Sequence, residues 1–269
     1  MKSKLIAGLI LMMAVSLTAH GGTELTTDTK EMVTPPSLRS DAGFYVGVYG
    51  GAQFATGYGN QRQTFTGTSA SAAAIGVPPG TTIVPSSSIS SGWGGAGGIK
   101  AGYNFESFGL TDALRLQPGV EAEALYLGTT STSSGSFLGA SGSSSTSYNS
   151  AAWFLNGILR LKTGTLFTPY IGAGVGGEYL SLHSDAVVPA VGAHFTGITG
   201  DDVDFAGQAF AGFDIALNDH WSLFSEYKFI DALGTDVKVS NFGGTGLDYR
   251  FKPDQIQQHL VVAGLKYTF

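Results

Sequence analysis

The chain contains no cysteine, which excludes a disulfide framework and a cysteine-linked lipid anchor. Beyond the first 19 residues it has no apolar run of about 18 residues or more, so no helix of the remaining chain is built to cross a bilayer. Charge is also scarce: only 13% of residues are Asp, Glu, Lys or Arg. Taking Lys2 and Lys4 of the N-terminal stretch from the 14 basic residues leaves 12 against 20 acidic ones, a net charge of −8. Such a chain does not seek nucleic acid or anionic lipid. What it has instead is 40 glycines, many serines and threonines, and 12% aromatic residues. That composition is odd for a soluble enzyme, and the aromatic content speaks against plain disorder.

Residues 1–19 read as a secretory signal peptide: a short basic start, an apolar run from Leu5 to Leu17, and small residues at Ala19 and Gly21 that place cleavage near 19–22. Residues 20–42, with Pro35-Pro36, read as an unstructured lead-in. From Gly43 to Phe269 a regular rhythm follows. Alternating segments lie at 43–55, 92–105, 114–127, 151–162, 167–182, 203–217 and 221–230, and the last runs to Phe269. Each is long enough to cross a bilayer as a tilted strand. Short connections at 106–113, 163–166 and 218–220 alternate with long ones at 56–91, 128–150, 183–202 and 231–254. The pattern predicts an all-β, eight-stranded antiparallel up-and-down barrel with short turns at one end and long loops at the other. The loops 56–91 and 128–150, rich in Ser, Thr and Gly, read as mobile. Pro118-Gly119 inside the third segment predicts a bulge or local irregularity.

The two faces of the segments differ. One is apolar, with aromatics gathered near segment ends: Phe54, Trp93, Tyr126, Trp153, Tyr179 and Phe205 at the loop end, and Phe44, Phe105, Phe167, Trp221, Tyr267 and Phe269 at the turn end. These predict two interfacial girdles. The other face carries Lys100, Asn104, Arg115, Glu121, Glu123, Asn156, Arg160, Lys162, Glu178, Gln208, Asp214, Glu226, Lys228 and Lys266. Charges face lipid only at high cost, so this set is expected in the lumen as a salt-bridged polar network. An eight-stranded barrel is only wide enough for side chains to fill it.

At the C-terminus, Val261, Ala263, Leu265, Tyr267 and Phe269 share one face and end on an aromatic. This terminal stretch resembles the assembly signature of bacterial outer-membrane barrels. Gly43-Phe-Tyr-Val-Gly-Val-Tyr-Gly-Gly51, Thr168-Pro-Tyr-Ile-Gly-Ala-Gly-Val175 and Trp221-Ser-Leu-Phe-Ser-Glu-Tyr-Lys228 are similar to other strands of small eight-stranded members. The resemblance is to the opacity-like and OmpA-like porin-family surface antigens of Gram-negative bacteria. It implies an integral outer-membrane protein, surrounded by outer-membrane lipid and inserted by the barrel-assembly machinery through its last strand. The function it implies is non-enzymatic: envelope structure or adhesion through cell-surface loops, with a host or surface ligand as partner. The alternative is a small porin-like channel for ions or small solutes. The apolar residues of the third and fourth loops, Val187, Val188, Val191, Phe195, Phe242, Leu247, Tyr249 and Phe251, are candidates to pack together or grip a partner.

Other motifs carry less. Gly92–Gly97 and Gly172–Gly177 fit G-x-G-x-x-G, but alternation continues through them where a dinucleotide site needs a helix. His220 and Ser222 invite comparison with outer-membrane lipid A deacylases, yet they lie at the turn end and read as a solvated histidine beside a girdle tryptophan. His183, Asp185, His194, Asp201, Asp202 and Asp204 match no metal-site spacing and read as an acidic loop. No catalytic, metal or cofactor residue is assigned.

Overall fold

The computed structural model describes residues 42–56, 62–74, 76–84, 86–89, 92–111, 113–137, 140–188, 193–234, 236–252 and 256–269. All fall in one compact unit, Leu38–Phe269. The leader 1–19, and the lead-in 20–42 apart from Ala42, lie outside the described residues.

Eight strands form the ring: β1 (Gly43–Thr56), β2 (Trp93–Asn104), β3 (Arg115–Phe137), β4 (Ala140–Lys162), β5 (Phe167–Val188), β6 (Ala193–Ala216), β7 (Trp221–Leu233) and β8 (Ile256–Thr268). Each pairs antiparallel with its neighbours in sequence, and β8 returns to β1, with Val48 opposite Leu265 on one side and Ile99 on the other. Closure leaves no strand of the membrane belt with an unpaired edge. The turns carry their own chemistry. Gly164 takes φ 69° in the β4–β5 turn. Asn218 Oδ1 accepts the backbone N–H of both His220 and Trp221 at 2.9 Å, an Asx turn that starts β7.

Period-two alternation sets burial. Along β4, Ala152, Phe154, Asn156, Ile158 and Arg160 are buried, while Trp153, Leu155 and Leu159 are exposed. The exposed apolar belt stops at a row containing Tyr126, Trp153, Tyr179 and Phe205. These positions are adjacent in register: Trp153 opposes Gly177, which opposes Phe205, and Tyr126 opposes Ala151, which opposes Tyr179. Above that row the outward positions turn polar, for example Thr130 and His183. The row therefore marks the edge of the hydrocarbon.

Three sequence expectations change here. First, 128–150 and 183–202 are largely strand, because β3 and β4 stay paired from Arg115–Lys162 to Phe137–Ala140 and β5 and β6 run on beyond the belt. Hydropathy hides this in β3 and β4, where Ser and Thr occupy both faces. The inner face still packs, with Thr129 and Ser131 at 4% and 3% exposure. The 23 residues of β3 span roughly 75 Å along the strand and, at a tilt of ~40°, nearly 60 Å along the axis, against an apolar band of ~25 Å. Second, Pro118 causes no bulge: it stays in register with Leu159. Its carbonyl accepts Phe105 N–H at 2.9 Å beyond the last β2–β3 pair, Asn104–Gly119, so the missing N–H falls past the end of that ladder. Third, 56–91 and 231–254 are not merely polar loops. Arg62–Gly67, Thr82–Ile83, Val237–Val239 and Leu247–Lys252 form a separate four-stranded sheet. Ala72, Val77 and Leu247, packed with Phe65, Ile83 and Phe242, form its small core. Phe242, Leu247 and Tyr249 are thus spent on internal packing and do not form an exposed patch. Val187 is partly buried, and the remaining apolar side chains of that set lie outside the described residues.

Candidate functional site

The lumen is built from inward positions of all eight strands. In its turn-end half, Lys100, Glu121, Glu123, Asn156, Arg160, Gln208, Asp214, Glu226, Lys228 and Lys266 meet, each between 0 and 6% exposed. Lys228 Nζ lies 2.6 Å from Glu123 Oε1 and 3.0 Å from Glu226 Oε2. Lys100 pairs with Glu226 and sits 3.7 Å from Glu121 Oε2. Lys266 pairs with Asp214, whose Oδ2 is also 3.6 Å from Arg160 Nε. Four cations therefore face four carboxylates, so the cluster is neutral as a whole, which is what makes its burial tolerable.

Neutral donors complete it. Asn156 Nδ2 bridges Glu121 and Glu123 at 3.2 Å each, and Gln208 Nε2 donates to Glu123 at 2.7 Å. Tyr45 donates to Glu121 at 2.9 Å, Tyr170 to Glu226 at 2.8 Å, and Tyr49 to Glu123. The three tyrosines and Asn104, which accepts from Arg160 at 2.7 Å, fill the inward positions of β1, β5 and β2. The tyrosines were legible from strand parity, since Tyr45 and Tyr49 alternate with the outward Phe44, Val46 and Val48. Rings also face the cations, with Phe224 3.8 Å from Lys100 Nζ and Phe210 4.6 Å from Lys228 Nζ. Glycine makes room for such rings: a Cβ on Gly172 would lie 2.3 Å from Phe210 Cζ.

Three of the polar residues singled out from the sequence stand apart from this cluster. Arg115 and Lys162 oppose each other at the turn-end rim, half-buried, where Arg115 Nη2 donates to Ser107 O at 2.9 Å. Glu178 lies toward the loop end and accepts from Gln258 at 2.6 Å. Gln258, like Gln53 and Gln117, is buried and was missed by the sequence reading, because a neutral side chain in a polar-looking strand end gives no signal. Val261, Ala263, Leu265 and Tyr267 line the outward face of β8, and Phe269 N–H donates to Phe44 O at 3.0 Å.

Above the ionic cluster the lumen becomes apolar, with Leu125, Leu127, Phe154, Ile230, Leu260 and Val262 in one packed group. Higher still, Leu180, Leu182 and Tyr148 receive Val237 and Tyr249 of the small sheet. The basic residues Lys238, Arg250 and Lys252 share one side of that sheet: Lys238 opposes Arg250, and Lys252 follows Arg250 two residues on along the same strand. Arg250 grips Asp236 through Nε at 2.6 Å and through Nη2, and holds that carboxyl below its usual range. Among the described residues no group of three or more His, Asp or Glu is placed to hold a metal ion.

Residues 9–251 match the family described as outer membrane protein beta-barrel domain. The chain is 26% identical over 153 residues to outer membrane protein PagN of Salmonella typhimurium, a match covering 55% of this chain and 62% of that protein, less than two thirds of its length. The outer membrane protein OprG from Pseudomonas aeruginosa aligns at 16% identity and TM-score 0.48, covering 85% of this chain and 97% of that one. Ail, the attachment invasion locus protein of Yersinia pestis, solved with the heparin analogue sucrose octasulfate, aligns at 9% identity and TM-score 0.34, covering 84% and 99%. With the closed ring and its apolar belt already in place, the family match over most of the sequence identifies the chain as a member of the outer-membrane β-barrel domain family, an integral protein of the bacterial outer membrane with its loops at the cell surface.

Proposed function

We propose that this protein is a closed surface scaffold that binds partners through its extracellular hairpins and sheet. The observation that carries this reading is the filled lumen. A water path would leave the inner side chains accessible, whereas those of the ionic cluster are 0 to 6% exposed and an apolar layer lies above them. The porin-like alternative needs both layers to open. The partner chemistry follows from charge: on an otherwise acidic chain, Lys238, Arg250 and Lys252 gather on one side of the extracellular sheet, a footprint for an anionic surface polymer. The C-terminal residues Val261, Ala263, Leu265, Tyr267 and Phe269 are the segment we assign to the barrel-assembly machinery, since β8 closes the ring between β7 and β1.

The test pairs conductance with binding. Folded protein, verified by its heat-dependent shift in gel mobility, is expected to be silent in planar bilayers and to bind a sulfated polysaccharide in a salt-dependent way. Replacing Lys238, Arg250 and Lys252 with glutamine should remove the binding and leave the barrel folded. Discrete current steps would overturn the closed-scaffold reading, and unchanged binding by the triple variant would overturn the choice of surface.

A further inference from the structure

The lower ionic cluster balances itself, and Glu178 stands outside that balance. It is 2% exposed, and no described cation pairs with it. Its Oε1 accepts from Gln258 Nε2 at 2.6 Å, while its Oε2 has no hydrogen-bond partner. Gln258 Oε1 and Gln53 Oε1 are likewise buried without a donor. Because Ala55 opposes Gln258 and Gln53 opposes Leu260, the two amides are diagonal neighbours on the inner wall. The orientation of Gln258 is fixed, since turning the amide over would set its carbonyl against the carboxylate. The buried Ser150 also hydrogen-bonds the Glu178 carboxyl, and Gln53 Nε2 donates to the buried Thr129 Oγ1. Leu127 and Leu260 close this level of the wall on the periplasmic side, and Leu180, Leu182 and Val237 on the extracellular side. If it is to stay ionised, a buried carboxylate beside donor-less carbonyl oxygens costs several kcal/mol, which a bound cation offsets.

We infer that this level is a cation site, in which Glu178 and the side-chain oxygens of Gln258 and Gln53 hold one sodium or potassium ion. The donor set is all oxygen, which selects a hard cation over a transition metal. Glu178 is its one fully buried carboxylate, Asp204 opposite it on β6 being only partly buried, so a monovalent ion matches the fully buried charge and a divalent one exceeds it. The ion ties β1, β5 and β8 together directly beneath the extracellular sheet.

Thermal unfolding of the refolded full-length protein in zwitterionic micelles tests this, in sodium, potassium or tetramethylammonium chloride at one ionic strength. Sodium or potassium should raise the wild-type midpoint above that in tetramethylammonium, with the rise growing as the logarithm of ion concentration. Glu178→Gln keeps a partner for Gln258 and should lose the difference. Gln258→Leu, which removes one oxygen and leaves the carboxylate, should shift the half-effective ion concentration upward several-fold. Equal wild-type midpoints in all three salts, an undiminished ion effect in Glu178→Gln, or stabilisation by calcium alone would each overturn the inference.

Discussion

Removing the Lys228 ammonium should be among the most damaging single changes this barrel can suffer. The residue is fully buried, and its Nζ is shared between Glu123 at 2.6 Å and Glu226 at 3.0 Å. Lys228→Met keeps most of the side-chain volume beside Phe210 and deletes the charge. The cluster then holds three cations and four carboxylates, one of them uncompensated among side chains that are nearly fully buried. Breaking a buried pair from one side costs about 3–5 kcal/mol, more than about a hundred-fold in the folding equilibrium. Lys100 relieves Glu226, which it also pairs with, so the unmatched charge settles on Glu123. The double variant Lys228→Met/Glu123→Gln restores neutrality and should recover at least half of the loss. The assay is denaturant unfolding in lipid vesicles, read by the fluorescence of Trp93, Trp153 and Trp221, with wild type, both single variants and the double forming a cycle. If Lys228→Met costs under about 1 kcal/mol, or the double is as unstable as the single, then the cluster is hydrated and its charges are not bound to one another.

Other perturbations separate the packing, the membrane boundary and the extracellular sheet. Gly172→Ala places a methyl against the Phe210 ring and should cost about 1–3 kcal/mol by overpacking, most of it recovered by Phe210→Leu in the same unfolding assay. Ile171→Arg, in the apolar belt and 61% exposed, should cost about 2–4 kcal/mol on refolding into vesicles, whereas Thr130→Arg, above the Tyr126 row, should cost ~0–1 kcal/mol. The Asp236 carboxyl is held below its ordinary range by Arg250, so its contribution is present above the unfolded value of about 4 and is lost as pH falls through the lower folded value. Protease cleavage within 231–255 should therefore accelerate only in that acid window, and Asp236→Asn should show the faster cleavage already at neutral pH.

The barrel was legible because every second residue in the membrane meets lipid, and lipid enforces a pattern that sequence displays openly. Phe44, Val46 and Val48 against Tyr45 and Tyr49 is enough to set both faces of β1. Where lipid ends, that enforcement ends. The upper parts of β3 and β4 alternate between hydroxyl residues inside and hydroxyl residues outside, so a strand there reads as a polar loop. The small sheet was hidden for a different reason: its strands come from 62–83 and 237–252, and pairing between such distant short segments leaves no local period. The lumen charges could be listed from parity alone. Which carboxylate each cation takes could not, because that depends on the stagger between strands: Lys228 on β7 reaches Glu123 on β3, far across the ring.

The longest strands are not scattered around the ring. β3, β4, β5 and β6 stand together at 22 to 24 residues, while β7, β8, β1 and β2 stand together at 12 to 14. The outer rim is therefore a half-parapet, and the small sheet leans against its inner side through Val237, Leu180 and Leu182. A bulky visitor arriving from the parapet's outer side is held off, and one arriving over the low rim reaches the cationic strands. The molecule thus has a front and a back within the plane of the membrane, and a neighbour that engages it must be turned to face one half of its circumference.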